Sequence, residues 1–307
     1  MHLYISGSGN RQRELDPRLP AGLRHVLLSC HKEYRSVAHT LSRSLLDCGQ
    51  PFELMYDSGA FTAWTKGHEV TLDSLIPIYD EMMDAYSPFA RNVWLLNLDK
   101  IPGQKGILPT GDDITEALRI SDKNFDVLTN RYGPRVLPVY HMTESEARLQ
   151  EVAKMANYIA LSPRFDQPET IRRDWARQAA QQVPDNRLHG LASTGYYMMT
   201  MVPWHSVDSI SARAFAAFGT VLMPPKMYAL AISEHRGTVK EQGKHFRTLS
   251  PGEKEWATFE FSKRGFTSTE LETDDNSRTS WNRIIMLEVI EKKTHSYPPI
   301  QQTLFGI

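Results

Sequence analysis

Three aspartates and a histidine stand at matching places in this chain, each closing a short apolar run. Asp57 ends Phe52–Asp57, Asp99 ends Val93–Asp99, Asp208 ends Trp204–Asp208 and His141 ends Val136–His141. Aspartate disfavours strand interiors, so its recurrence at strand exits needs a cause. Capping of the next helix explains one such residue; three on one predicted rim are better explained by convergence on a site. One carboxylate can attack a sugar carbon, as in retaining glycosidases. A second can move protons, and a third can accept hydrogen bonds from the N–H groups of a base.

The neighbours of each residue sharpen that reading. Asp57-Ser58-Gly59-Ala60-Phe61 follows a strand with a turn of small residues, where a flat ligand can approach the backbone and Phe61 can stack on a base. Asp99 follows Trp94–Leu98, a run too apolar to tolerate a charge without purpose. Asp208 lies in Ser206-Val207-Asp208-Ser209, flanked by hydroxyls able to orient it.

The elements that must position these groups alternate along the chain. His2–Ser6, His25–Cys30, Phe52–Asp57, Val93–Asp99, Val136–His141, Tyr158–Ser162, Leu188–Ser193 and Trp204–Asp208 read as buried parallel strands. Ser36–Cys48, Leu72–Tyr86, Ile114–Tyr132, Thr143–Met155 and Pro168–Val183 read as helices, with Thr143 and Glu146 spaced as a capping box. Eight strands with helical crossovers predict an α/β fold, a closed barrel or an open doubly wound sheet; length and strand count favour a (β/α)8 TIM barrel over residues 1–223, whose catalytic groups belong at the C-terminal strand ends. The connection Gly7–Arg24 reads as a loop, and the alternation is lost after Val221. Residues 224–293 read as a C-terminal extension packed on the barrel, with Asp274–Ser280 a polar linker and Ser280–Lys293 a last helix; 294–307 reads as an extended tail.

Composition sets limits. The 307 residues, 41% hydrophobic and 23% charged, suit one catalytic domain with an appendage. No apolar run is long enough to span a bilayer and no signal pattern opens the chain, so a cytoplasmic protein with no membrane partner is expected. Cys30 and Cys48, the two cysteines, cannot supply a zinc site of three or four thiolates and read as buried reduced thiols. His68, His189 and His205 lack supporting ligands, so no metal is expected. A net charge of −1 does not announce a nucleic-acid binder, although a local phosphate-binding face is compatible with it. Candidates for such a face are Lys226, Arg236, Lys244 and Arg264, with a solvated surface as the default. Tyr196 and Tyr197 suit either packing against an extruded nucleotide or covering the barrel mouth. Ser6-Gly7-Ser8-Gly9 lacks the phosphate-loop pattern and reads as a turn.

The motifs resemble one family. Asp57-Ser58-Gly59-Ala60-Phe61 resembles the Asp-Ser-Gly-Gly-Phe signature of the tRNA-guanine transglycosylases and their DNA-acting relatives, with Ala60 in place of the second glycine. Leu98-Asp99 looks like the family's Leu-Asp. Leu137–His141 stands in place of its Gly-Ile-Val-Gln-Gly strand, which puts His141 where glutamine is usual. Tyr158–Ser162 takes the place of its Gly-Gly-Leu-Ala segment, Leu188–Ser193 that of the next strand, and Asp208 that of its nucleophile. The resemblance covers residues 1–220 by order of elements. It departs in two ways: no cysteine follows Cys48, where the tRNA enzymes carry a Cys-rich zinc site, and residues 206–209 look more like the DpdA-type DNA guanine transglycosylases of phages and bacterial modification clusters.

The resemblance therefore implies guanine exchange in DNA, in a bacterial or phage-infected cell. Asp208 would attack C1′ and Asp57 would transfer protons. Asp99 would accept hydrogen bonds from the purine, with Ser58, Gly59, Phe61, His141, Ser162, Leu191, Ala192 and Ser193 completing the base pocket. The incoming base would be a 7-deazaguanine such as preQ0, and no cofactor is implied. Homodimers are common among the family. Competing readings are a tRNA substrate, a retaining glycoside hydrolase, and a non-catalytic DNA-binding accessory protein held by its tail. That tail, Gln301-Gln302-Thr303-Leu304-Phe305, matches the Gln-x-x-Leu-Phe form of sliding-clamp-binding peptides, in which Gln301, Leu304 and Phe305 would be the anchors.

Overall fold

All eight apolar runs form strands in the computed structural model, which describes residues 1–6, 18, 25–30, 52–67, 69–104, 106–233 and 245–296, with side chains as far as 293. The strands are β1 (His2–Ile5), β2 (His25–Ser29), β3 (Glu53–Asp57), β4 (Asn92–Leu96), β5 (Val136–Leu137), β6 (Val139–His141), β7 (Tyr158–Ser162), β8 (Arg187–Gly190) and β9 (Ser206–Ser209). They are parallel, in the order β5-β4-β3-β2-β1-β9-β8-β7-β6.

That order begins and ends on two halves of one stretch. Only Pro138 separates β5 from β6; β5 pairs with β4, and β6 pairs with β7. Proline has no N–H to give a ladder, but the Pro138 carbonyl still accepts from Ala160 N at 2.9 Å. The interruption divides the strand without opening the sheet. With the halves counted together, eight strands form a nearly closed (β/α)8-like TIM barrel.

Helices α1 (Ala60–Lys66), α2 (Leu72–Tyr86), α3 (Gly111–Tyr132), α4 (Glu146–Met155), α5 (Glu169–Gln182) and α6 (Tyr196–Met201) connect the described strands. Thr71 with Ser74, and Thr110 with Asp113, form capping boxes at α2 and α3. The cap of α4 differs from the sequence reading. Ser145, not Thr143, accepts from Arg148 N, because Glu144 N is still bonded to His141 O at 3.0 Å as the chain turns out of β6.

Alternation along the strands builds two layers. Leu27, Met55, Leu96, Leu137, Val139, Tyr158 and Ala160 fill the barrel. Val26, Leu28, Leu54, Tyr56, Val93 and Leu95 face outward onto Leu75, Tyr79 and Met82 of α2 and Phe125 and Leu128 of α3. Truncating a core residue such as Leu54, fully buried, costs about 2–5 kcal/mol.

The barrel unit spans His2–Ser211; Ala212–Ile307 with Met1 form a second compact unit. The division falls ahead of residue 223 because β10 (Thr220–Met223) pairs antiparallel with β11 (Tyr228–Ala231) and not with a barrel strand. Ahead of β10, α7 (Ser211–Ala217) begins at the division, and α8 (Pro251–Lys263), α9 (Ser268–Thr273) and α10 (Asp275–Ser296) follow β11. The polar run after Asp274 is no linker. Asp274 accepts from Ser277 N at 2.9 Å and Asn276 N at 3.1 Å, starting α10 there. Within this unit, buried Asn282 accepts from Leu222 N and donates to Ala212 O and Thr220 O, and Trp281 donates to Leu222 O at 2.7 Å.

Among the described residues no helix is long and apolar enough to cross a membrane. The predicted helix Ser36–Cys48, most of the Gly7–Arg24 connection, His68, Arg236, Lys244 and the tail with Gln301, Leu304 and Phe305 lie outside the described residues.

Candidate functional site

The C-terminal ends of the barrel strands converge on one rim, and the four residues singled out by the sequence all stand on it. Asp57 is the last residue of β3. The left-handed turn at Gly59, φ 83°, starts α1 and returns the Gly59 N–H to the Asp57 carboxylate. Burial first, and then the charges of Asp208 and Asp99, raise the Asp57 carboxyl to about 7 against the hydrogen bonds from Gly59 N–H and the Ser29 side chain. Asp57 keeps part of its surface exposed, but the protein packed around the carboxyl governs its solvation. Asp57 therefore holds a proton near neutral pH, beside two other carboxylates.

Asp99 follows β4 by three residues, and α3 pins that exit. Asn97 N donates to Leu137 O at 2.9 Å, and Asn97 Nδ2 to Ser121 O at 3.0 Å. Lys100 N donates to Ser121 Oγ at 2.8 Å, and Asn124 Nδ2 to Leu98 O at 2.7 Å. The carboxylate so held lies 2.8 Å from His141 Nε2, both side chains nearly buried. Burial opposes the His141 imidazolium, but the Asp99 hydrogen bond and charge, with Glu144, outweigh it and the net shift is upward. Burial in turn pushes Glu144 up to about 7, against the charge of His141.

Asp208, 8% exposed, lies on β9. The β8 exit wraps it: Ser193 N donates to Asp208 O at 3.0 Å and Ala192 N to Asp208 Oδ1 at 3.2 Å. Ala192 takes φ 50°, an uncommon conformation for a residue with a Cβ, and that conformation delivers its N–H to the carboxylate. Gly190 before it cannot be larger, since a Cβ there would lie 2.8 Å from Ser193 Cβ and 3.0 Å from the Trp204 ring. Beneath Asp208, fully buried His189 brings Nε2 to 3.3 Å from Oδ1, off the hydrogen-bond axis.

One side of the rim is a groove lined by Phe61, Trp64, His141, Ser162, Arg164 and Phe165 among others. Phe61, Trp64 and Phe165 form an aromatic cluster with ring centroids 6.0–6.2 Å apart. Phe61 and Phe165 are half exposed. Trp64 is fixed by its Nε1–H on Gly103 O at 2.9 Å. Asp57, Asp99 and Asp208 do not line this groove; of the four rim residues His141 does.

No family model matches this chain, and no curated protein matches it.

The remaining predicted positions divide. Ser58 is buried, with its Oγ accepting from Ala60 N at 3.4 Å, and Leu191 packs against the barrel core. Tyr196 and Tyr197 begin α6, where Glu169 accepts from Tyr197 N and Met198 N. In the second unit Lys226 is exposed, while Arg264 is largely buried, paired with Glu260 and Glu288 and stacked over Trp281. Among the described residues no cluster of three His, Cys, Asp or Glu has the geometry to hold a metal. Sequence reasoning missed Trp64, Phe165 and Glu144, which lie in a helix and two turns without period, and the place of His189, whose only signal is a polar residue inside an apolar strand.

Proposed function

We propose that the protein is a DNA base-exchange transglycosylase that replaces guanine by a 7-deazaguanine. The observation that carries the reading is the convergence of Asp57, Asp99 and Asp208 on one barrel rim, with Asp57 holding its proton up to about pH 7. In the first step an Asp208 oxygen forms a bond to C1′ of the nucleotide as the glycosidic bond breaks, and the leaving guanine takes the proton from Asp57. In the second, the incoming base gives its ring proton to Asp57, bonds to C1′ and expels the Asp208 carboxylate, with net retention. The Asp99–His141 pair offers an acceptor and a donor for the edge of a purine, and the Phe61, Trp64 and Phe165 rings suit its flat face. The same acid and nucleophile would serve a retaining glycosidase; the aromatic groove beside a charged hydrogen-bonding pair favours a base.

DNA is preferred to tRNA because Cys30 and Cys48 fall short of the zinc site of the tRNA enzymes that the motifs resemble. The test is exchange of labelled guanine or preQ0 into duplex DNA, single-stranded DNA and tRNA, with Asp208→Asn alongside. Label in DNA that depends on Asp208 is expected. Label in tRNA alone would keep the mechanism and move the substrate; no label in any polymer would end the base-exchange reading.

A further inference from the structure

Below the rim, a line of hydrogen bonds inside the barrel ends at His189, whose far side faces Asp208. Tyr158 OH and Ser206 Oγ are 2.5 Å apart, and Ser206 Oγ and His189 Nδ1 are 2.5 Å apart. His189 Nε2, at the far side of the same ring, faces Asp208 Oδ1 at 3.3 Å. Tyr158, His189 and Ser206 are buried, His189 and Ser206 completely. Side chains placed there without a role would leave polar atoms in an apolar core at a cost.

Donor counting gives the line a direction. A neutral imidazole donates through one nitrogen and accepts through the other. Were Nδ1 the donor, Nε2 would be a lone pair turned on a carboxylate in a buried site. With Nε2 protonated, both hydrogen bonds of the line have a donor and an acceptor, Tyr158 O–H to Ser206 and Ser206 O–H to His189 Nδ1, and the Nε2–H faces the Asp208 carboxylate 3.3 Å away without an aligned hydrogen bond. The Ala192 N–H reaches the same oxygen, Oδ1, at 3.2 Å. Among the described residues no donor reaches Oδ2.

Resting on the base-exchange reading, we propose that His189 is a positioning residue, held as its Nε2–H tautomer by Ser206 and Tyr158, whose N–H dipole attracts the Oδ1 that Ala192 N–H hydrogen-bonds and so leaves Oδ2 of Asp208 as the oxygen that bonds to C1′. The contact is present in the free carboxylate, loses the charge it faces when Asp208 becomes the sugar ester, and regains it when the second base expels the carboxylate. His189 touches neither base nor sugar. Its effect falls on the orientation of the nucleophile and so on kcat.

The experiment has two arms. Nitrogen-15 NMR of the histidine rings, with the His189 signal assigned by its loss in His189→Gln, is recorded for the wild type and Asp208→Asn. An Nε2–H tautomer whose resonance moves in Asp208→Asn is expected; an Nδ1–H tautomer, or a signal indifferent to Asp208, would overturn the proposal. In the second arm, His189→Met is expected to lower kcat for exchange about a hundredfold with KM for DNA within about twofold. His189→Gln, which keeps an N–H in that direction, should restore most of it. Full activity in His189→Met, or no recovery in His189→Gln, would also overturn it. A wild type without exchange activity would remove the base-exchange reading, and the NMR arm alone would then decide whether His189 orients Asp208.

Discussion

At the residue scale, the proposed chemistry rests on one carboxyl that keeps its proton beside two other carboxylates. For Asp57 the sign is definite. Its pKa in the folded chain, about 7, lies above that of an exposed aspartate, so the protonated form that the proposed exchange requires for the leaving guanine predominates below about pH 7 and is lost above it. Guanine release in a single turnover is expected to fall as pH rises through that value, with the dependence abolished in Asp57→Asn. A flat profile in the wild type would remove Asp57 from the proton transfer. The same shift makes ionised Asp57 a cost to the fold that grows as pH rises from the unfolded pKa to the folded one. Asp57→Asn should therefore melt higher than the wild type above neutrality, by roughly 2–4 °C for each kcal/mol released. Asp208→Asn is expected to lose about three orders of magnitude or more in exchange, because an amide is a poor nucleophile.

At the element scale, the site depends on strand exits bent in particular ways. Ala192 at φ 50° is the least comfortable of these, and a β-branched side chain is far harder to hold there than alanine or glycine. Ala192→Val is expected to cost about 1–3 kcal/mol and to lower exchange by withdrawing the N–H from Asp208, while Ala192→Gly keeps both stability and activity. Thermal melts and exchange rates of the two variants measure this; equal loss in both would point to lost packing and not to the backbone. Element identity was largely legible in the sequence, since strands buried on both faces are apolar along their length and helices repeat at their own period. The caps were less so. Thr143 and Ser145 both fit a cap by pattern, and only the path of the chain out of β6 selects Ser145.

At the scale of the barrel unit, the face opposite the rim carries its own charge problem. His2, His25 and His205 cluster at the N-terminal ends of the strands, with ring centroids 4.4 Å and 5.1 Å apart for His2 with His25 and with His205. Burial, and then the charge His2 would carry, hold His25 and His205 down at about 4. Protonation is easier in the unfolded chain, so stability is full above the ordinary histidine pKa and lost as pH falls from there to about 4. Stability should drop across that window by an amount on the order of 1–3 kcal/mol for each histidine, lowering the melting temperature, and His25→Gln should flatten the slope. A melting temperature constant from about pH 7 to about pH 4 would show that the cluster stays solvated.

The sequence by itself determined that charged residues end apolar strands, that eight such strands alternate with helices, and that Asp57, Asp99, His141 and Asp208 therefore share a rim. Period and the placement of a charge at a strand end are local properties of the chain; they favour a barrel over an open sheet, and the strand pairing closes it. Tertiary structure alone decided the rest. That Pro138 splits a strand without opening the sheet, that Phe165 meets Phe61, and that His189 sits beneath Asp208 all depend on contacts between residues far apart in the chain. The proton affinity of Asp57 is of the same kind, because burial and the neighbouring carboxylates exist only once the strands are side by side.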